Sequence, residues 1–79
     1  MRVELLYFAQ LREQAGRERE PVDTDAATLA ELYAEIAARH GFDLPRERLR
    51  VAVGDAFCDW SQPLCAGDEV ALIPPVSGG

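Results

Sequence analysis

The sequence predicts an α+β fold, with one mixed sheet of four to five strands and a single main helix packed on one face. Three observations carry that expectation. The chain opens on an alternating apolar run. Residues 28–40 repeat with the period of a helix and are capped at both ends. Two short apolar runs, at 49–53 and 69–73, follow the helix between turn residues. At 79 residues the chain has room for one small domain and no second.

Residues 2–8, Arg-Val-Glu-Leu-Leu-Tyr-Phe, read as the first strand. Val3, Leu5 and Tyr7 share one face, and Glu4, Leu6 and Phe8 share the other. Both faces turn apolar toward the strand's end, so the strand is either covered on both sides or offers its second face to a partner. Ala9–Ala15 reads as a short helix, which Gly16 ends at the C′ position. Residues 18–23 are polar and alternating. Pro21 interrupts them, which suits an edge strand, where a missing N–H is tolerated.

The main helix runs from Thr28 to His40. Thr28-Leu29-Ala30-Glu31 is a capping box, in which two side chains satisfy two otherwise orphaned backbone donors. Leu29, Leu32, Tyr33, Ile36 and Ala37 form one apolar stripe. Arg39 and His40 sit in the last turn, where positive charge suits the dipole, and Gly41 ends the helix. A loop containing Pro45 and the run Arg46-Glu47-Arg48 leads to a strand at Leu49–Val53. Gly54-Asp55 is a turn, and Ala56–Asp59 is a short returning strand. Ser61-Gln62-Pro63-Leu64 reads as a tight turn or a turn of 3₁₀ helix, and Gly67-Asp68 as another turn. Glu69–Ile73 is the last strand, which Pro74-Pro75 stops.

Composition narrows the function. Eight basic residues stand against 14 acidic ones, for a net charge of −6, and all eight are Arg. An acidic chain without a basic patch is a poor nucleic-acid or anionic-membrane binder. Without Lys there is no Schiff-base lysine, no P-loop lysine and no self-conjugation through a side-chain amine. No apolar run approaches the ~20 residues that span a bilayer, and the opening Met1-Arg2-Val3-Glu4 lacks signal-peptide character. A cytoplasmic location is therefore expected. Cys58 and Cys65 make neither a CxxC nor a zinc pattern and read as two small semi-buried thiols. The single His40 stands beside no plausible nucleophile and reads as a helix-end partner. The Asp23/Asp25 pair reads as part of a solvated loop. No GxxxxGK[ST] or GxGxxG is present, so no metal ligand and no bound cofactor is expected. A chain this short is also too small to enclose a pocket of ~300 Å³ while keeping a core.

The C-terminus differs. Residues 1–73 form the expected domain, and residues 74–79, Pro-Pro-Val-Ser-Gly-Gly, form an extended tail. The prolines fix φ and stiffen its base. Pro74 to Gly79 reach roughly 20 Å when extended. A stiff base with a thin tip suits threading a terminal carboxylate down a narrow channel of another protein, and glycine lets a foreign backbone approach closely. The two glycines alone fit a frayed terminus equally well. The prolines before them argue against simple fraying.

The tail Ile73-Pro74-Pro75-Val76-Ser77-Gly78-Gly79, the preceding Gly67-Asp68-Glu69-Val70 and the opening Tyr7-Phe8-Ala9-Gln10-Leu11-Arg12-Glu13 resemble the small subunits of molybdopterin synthase, a family of ubiquitin-like sulfur carriers. The likeness runs end to end. It implies a β-grasp fold, in agreement with the element order above. It also implies that Gly79 is the reactive residue. A ubiquitin-activating-like enzyme would adenylate its carboxylate with ATP in trans, and sulfur from a donor protein would convert it to a thiocarboxylate. That sulfur would pass to cyclic pyranopterin monophosphate inside the large subunit, in a 2+2 heterotetramer. Pro74, Pro75, Val76, Ser77 and Gly78 would aim and clear the tail. In a β-grasp sheet the first and last strands are neighbours. Leu6, Phe8, Ala71 and Ile73 would then form an apolar patch at the tail's root, extended by Phe57, and the family docks its large subunit there. Many relatives carry Asn where this chain has Gly54. Both residues tolerate positive φ, so the same turn is expected. Thiamine-pathway sulfur carriers and ubiquitin-type modifiers share the diglycine, so both stand as alternatives.

Overall fold

A computed structural model describes residues 1–75, and in it the alternating opening forms β1 (Arg2–Tyr7), with Val3, Leu5 and Tyr7 buried. The strand stops one residue earlier than its pattern suggests. Phe8 keeps an extended backbone, and its carbonyl accepts the first turn of α1 (Ala9–Ala15). Ala9 makes the corner at φ 50°, a left-handed conformation that costs an L-residue about 1–2 kcal/mol. Gly16 closes α1 at φ 76°. β2 (Arg19–Asp23) returns antiparallel to β1 and lies at the sheet edge, where Pro21 disrupts no ladder.

α2 (Leu29–His40) buries Leu29, Leu32, Tyr33 and Ile36 against the sheet. Its start is secured by more than its own cap. Thr28 Oγ1 accepts from the Glu31 N–H at 3.3 Å, and Glu31 Oε1 reaches back to the Ala27 N–H at 3.1 Å, one residue before the position a standard capping box would use. The Gln62 and Trp60 carbonyls accept from the Leu29 and Ala30 N–H groups at 3.1 and 2.9 Å. The loop after β4 thus satisfies two of the four donors that a helix start leaves orphaned. Gly41 ends the helix at φ 72°.

Arg46–Arg48 form one turn of 3₁₀ helix, and the Leu49 N–H closes it on the Arg46 carbonyl. β3 therefore begins at Arg50 and runs to Val53. Gly54 and Asp55 both take positive φ, 56° and 71°, the two-residue turn that matches strand twist. β4 (Ala56–Cys58) follows, one residue shorter than expected. β5 (Glu69–Ile73) enters the middle of the sheet, which has the order β2-β1-β5-β3-β4. It pairs parallel with β1 and antiparallel with β3, so the sheet is mixed. The main buried cluster joins Val3, Leu5, Tyr7, Val51, Val70 and Leu72 of the sheet to Leu29, Leu32, Tyr33 and Ile36 of α2 and Leu11 of α1.

Candidate functional site

Among the described residues no element covers the face of the sheet away from α2. Register places Leu6, Ala71, Ala52 and Phe57 in one row across β1, β5, β3 and β4. Two alanines in the middle make a low floor, and the larger side chains form the walls. The resulting groove of about 220 Å³ is lined by Leu6, Phe8, Ala52, Phe57, Ala71 and Ile73, with Gly54, Asp55 and Glu69 at its margin. The five residues expected from sequence to share a patch therefore do share one cavity. Phe8 and Phe57 are 45% and 63% exposed, which is far from the usual state of a phenylalanine.

Ala52 and the polar margin were not legible as site residues. Ala52's position between inward-facing Val51 and Val53 was the available signal. At one end of the groove Arg19 Nη2 bridges Glu4 at 2.7 Å and Glu69 at 3.3 Å. At the other end the tail leaves. Because β1 and β5 run parallel, with Tyr7 opposite Leu72, Phe8 and Ile73 emerge at the same end of the sheet. Pro74 is buried against the domain and Pro75 is exposed. Val76, Ser77, Gly78 and Gly79 lie outside the described residues.

The inner face holds the titratable cluster of the molecule. The Tyr7 hydroxyl donates to Glu20 Oε1 at 2.6 Å, and His40 Nε2 lies 2.9 Å from the same oxygen. The His40 ring meets the edge of Tyr7 at 5.6 Å and stacks on Phe42 at 5.3 Å. His40 is thus more than a helix-end charge, for it joins α2 to β2 and β1. Burial and the Glu20 carboxylate push the Tyr7 hydroxyl far above its ordinary range. Burial pulls the Glu20 carboxyl up, but the bonds from Tyr7 and His40, with Arg17 nearby, outweigh it and leave it lowered. The cluster faces the helix and lies on the side of the sheet opposite the groove.

Other candidates resolve simply. Asp23 belongs to β2 and pairs with Arg2 at 2.9 Å, instead of sharing a loop with Asp25. Cys65 is exposed, contrary to the semi-buried expectation, because it opens the turn at Ala66-Gly67. Cys58 is half-buried, and burial raises its thiol, which weakens it as a nucleophile. Among the described residues no three acidic, His or Cys side chains are arranged to hold a metal. A concavity of about 600 Å³ between Met1, Asp25 and Glu35 is an open polar trough.

Comparison with known proteins agrees with this architecture. The profile of the ThiS family matches residues 5–79. The molybdopterin synthase sulfur carrier subunit of Escherichia coli K12 is 38% identical over 80 residues, covering 98% of this chain and 99% of that one. Among solved structures, SAMP1 of Haloferax volcanii, a small archaeal modifier protein, superposes with a TM-score of 0.84 at 30% identity, with both chains fully covered. A chain of the complex of subunits 1 and 2 of the molybdopterin-converting factor from Helicobacter pylori 26695 does so at 0.70, also at 30% identity and with full coverage of both chains.

Proposed function

The chain belongs to the ThiS family, and on that footing we propose that it is the sulfur-carrier subunit of a molybdopterin synthase. The observation that carries this reading is the end-to-end likeness to carrier subunits of that name. Gly79 is the working residue. A carboxylate is a poor electrophile, and adenylation with ATP makes its carbonyl carbon attackable. The sequence has no nucleotide-binding motif, so a separate ubiquitin-activating-like enzyme performs that step in the cytoplasm. Sulfur from a donor protein then replaces the nucleotide, and the thiocarboxylate is a good nucleophile toward cyclic pyranopterin monophosphate. Two such transfers complete the dithiolene.

The groove supplies the docking face. The large subunit covers Leu6, Phe8, Phe57, Ala71 and Ile73, and the stiff Pro74-Pro75 base aims Gly78-Gly79 into its channel, in a 2+2 assembly. The H. pylori complex of subunits 1 and 2 supports a large-subunit partner. A second reading, attachment of Gly79 to lysines of other proteins, is favoured by the close superposition on SAMP1.

Intact mass separates them. After incubation with ATP, an adenylating enzyme and a sulfur donor, the mass rises by the difference between sulfur and oxygen, and the product converts the pyranopterin precursor when the large subunit is added. Deleting Gly79 abolishes both results and leaves thermal unfolding unchanged. A chain that never gains sulfur but appears in covalent adducts on cellular proteins would establish the modifier reading instead.

A further inference from the structure

Two arginines and one glutamate border the root of the tail. The chain carries eight arginines at a net charge of −6. Arg2, Arg17, Arg19 and Arg39 each pair with a carboxylate. Among the described residues Arg12, Arg46, Arg48 and Arg50 have no such pair, and three of these four fall within residues 46–50. Arg48 and Arg50 flank buried Leu49, whose extended backbone sends both side chains to the exposed side.

They line a second groove of about 490 Å³, together with Phe57, Ile73, Pro74 and Pro75. Glu47 also borders it, so two guanidinium groups face one carboxylate. Arg50 stands opposite Ile73, the last residue of β5, and therefore beside the point where the tail departs. Its guanidinium lies 5.3 Å from the Phe57 ring centroid. That contact holds the guanidinium plane while leaving its N–H fork available to a carboxylate. Phe57 and Ile73 line both grooves, so the cationic shelf continues the apolar docking face.

We propose that Arg48 and Arg50 bind an acidic segment, bearing Asp or Glu, of the large subunit as it receives the tail. The proposal rests on the carrier reading and adds the chemistry of the partner's rim. A chain of net charge −6 repels an acidic surface in general, and this shelf is a local exception. A carboxylate-bearing segment therefore finds one favourable register, with the tail aligned to its channel. Rim charges of this kind act mainly on encounter rate and orientation, while the apolar groove supplies the buried contact.

The absence of lysine makes a direct test possible. Arg48→Lys or Arg50→Lys introduces the sole side-chain amine of the chain. Carbodiimide treatment of either variant with the large subunit should join that amine to an Asp or Glu of the large subunit, as read by mass spectrometry of the linked peptides. Arg12→Lys, on α1, should give no such link. In parallel, the Arg48→Gln/Arg50→Gln double variant should associate about tenfold more slowly at low salt and match the unmodified chain at high salt. A complex that forms normally yet yields no link, or links only to this chain's own carboxylates, would overturn the shelf while leaving the carrier reading intact. If the unmodified chain forms no complex with the large subunit, both readings fail.

Discussion

The two faces of the sheet are built from alternate residues of the same strands, and they do opposite work. Leu5 and Tyr7 are buried beneath α2, while Leu6 and Phe8 beside them face outward. Leu72 is sealed in the core, and Ala71 and Ile73 line the open groove. On the inner face polar groups pair with one another: Tyr7 and His40 share Glu20, and the Tyr33 hydroxyl bonds the Leu44 carbonyl. Among the described residues no buried side-chain polar atom is left unpaired. On the outer face the apolar groups are left without one. Stability thus resides on the inner side, the proposed docking uses the outer one, and on that reading a substitution should register on one side without registering on the other.

Leu5→Ala should give the largest effect and break the inner face. Removing a fully buried leucine costs ~2–5 kcal/mol, a large share of what a domain of this size holds. Urea unfolding followed by circular dichroism should show a population already unfolded near zero denaturant. Phe57→Ala should do the converse. Its ring is mostly exposed, so the unfolding midpoint should barely move, while binding to the large subunit should weaken by ~2 kcal/mol, about thirtyfold, in calorimetric titration. If Phe57→Ala unfolds the domain and binds normally, the division between faces is wrong.

Glu20→Gln sharpens the inner side through pH. The folded-state value of Glu20 is lowered, so its proton binds less readily in the folded chain than in the unfolded one. Its contribution is fully present above the unfolded value of ~4.3 and is lost as pH falls through the folded value. The unmodified chain should therefore lose melting temperature on acidification below ~pH 5, and Glu20→Gln should show a shallower loss over the same range. Equal slopes would remove Glu20 from the account. The smallest effect belongs to the corner between the faces. Ala9→Gly relieves a left-handed alanine and should raise stability by ~0.5–1 kcal/mol, a few degrees of melting temperature, with docking unchanged.

Much of this was legible before the fold was known. The alternation of residues 3–8 correctly sorted inward from outward side chains, and the burial of Val70 and Leu72 follows the same rule. The resemblance to molybdopterin synthase small subunits was borne out along the whole chain. Other features were hidden because their partners are distant in sequence. His40 reads as a helix-end cation until β2 brings Glu20 to it, and the loop at Trp60–Gln62 reads as a turn until its carbonyls meet the start of α2. The strand ends at 8, 49 and 59 each moved by one residue because a neighbouring turn claimed the hydrogen bond.

Local chemistry wrote the helix caps, the glycine turns and the proline stop directly into the order of residues, since each depends on a few neighbouring side chains and their backbone preferences. The strand order, the alanine floor between Leu6 and Phe57, the shared carboxylate of Glu20 and the placement of Arg50 beside the tail root came from packing alone. Those features join residues many positions apart. Such pairings carry no local signature, because their free energy is gained only after the chain has closed the loops between them.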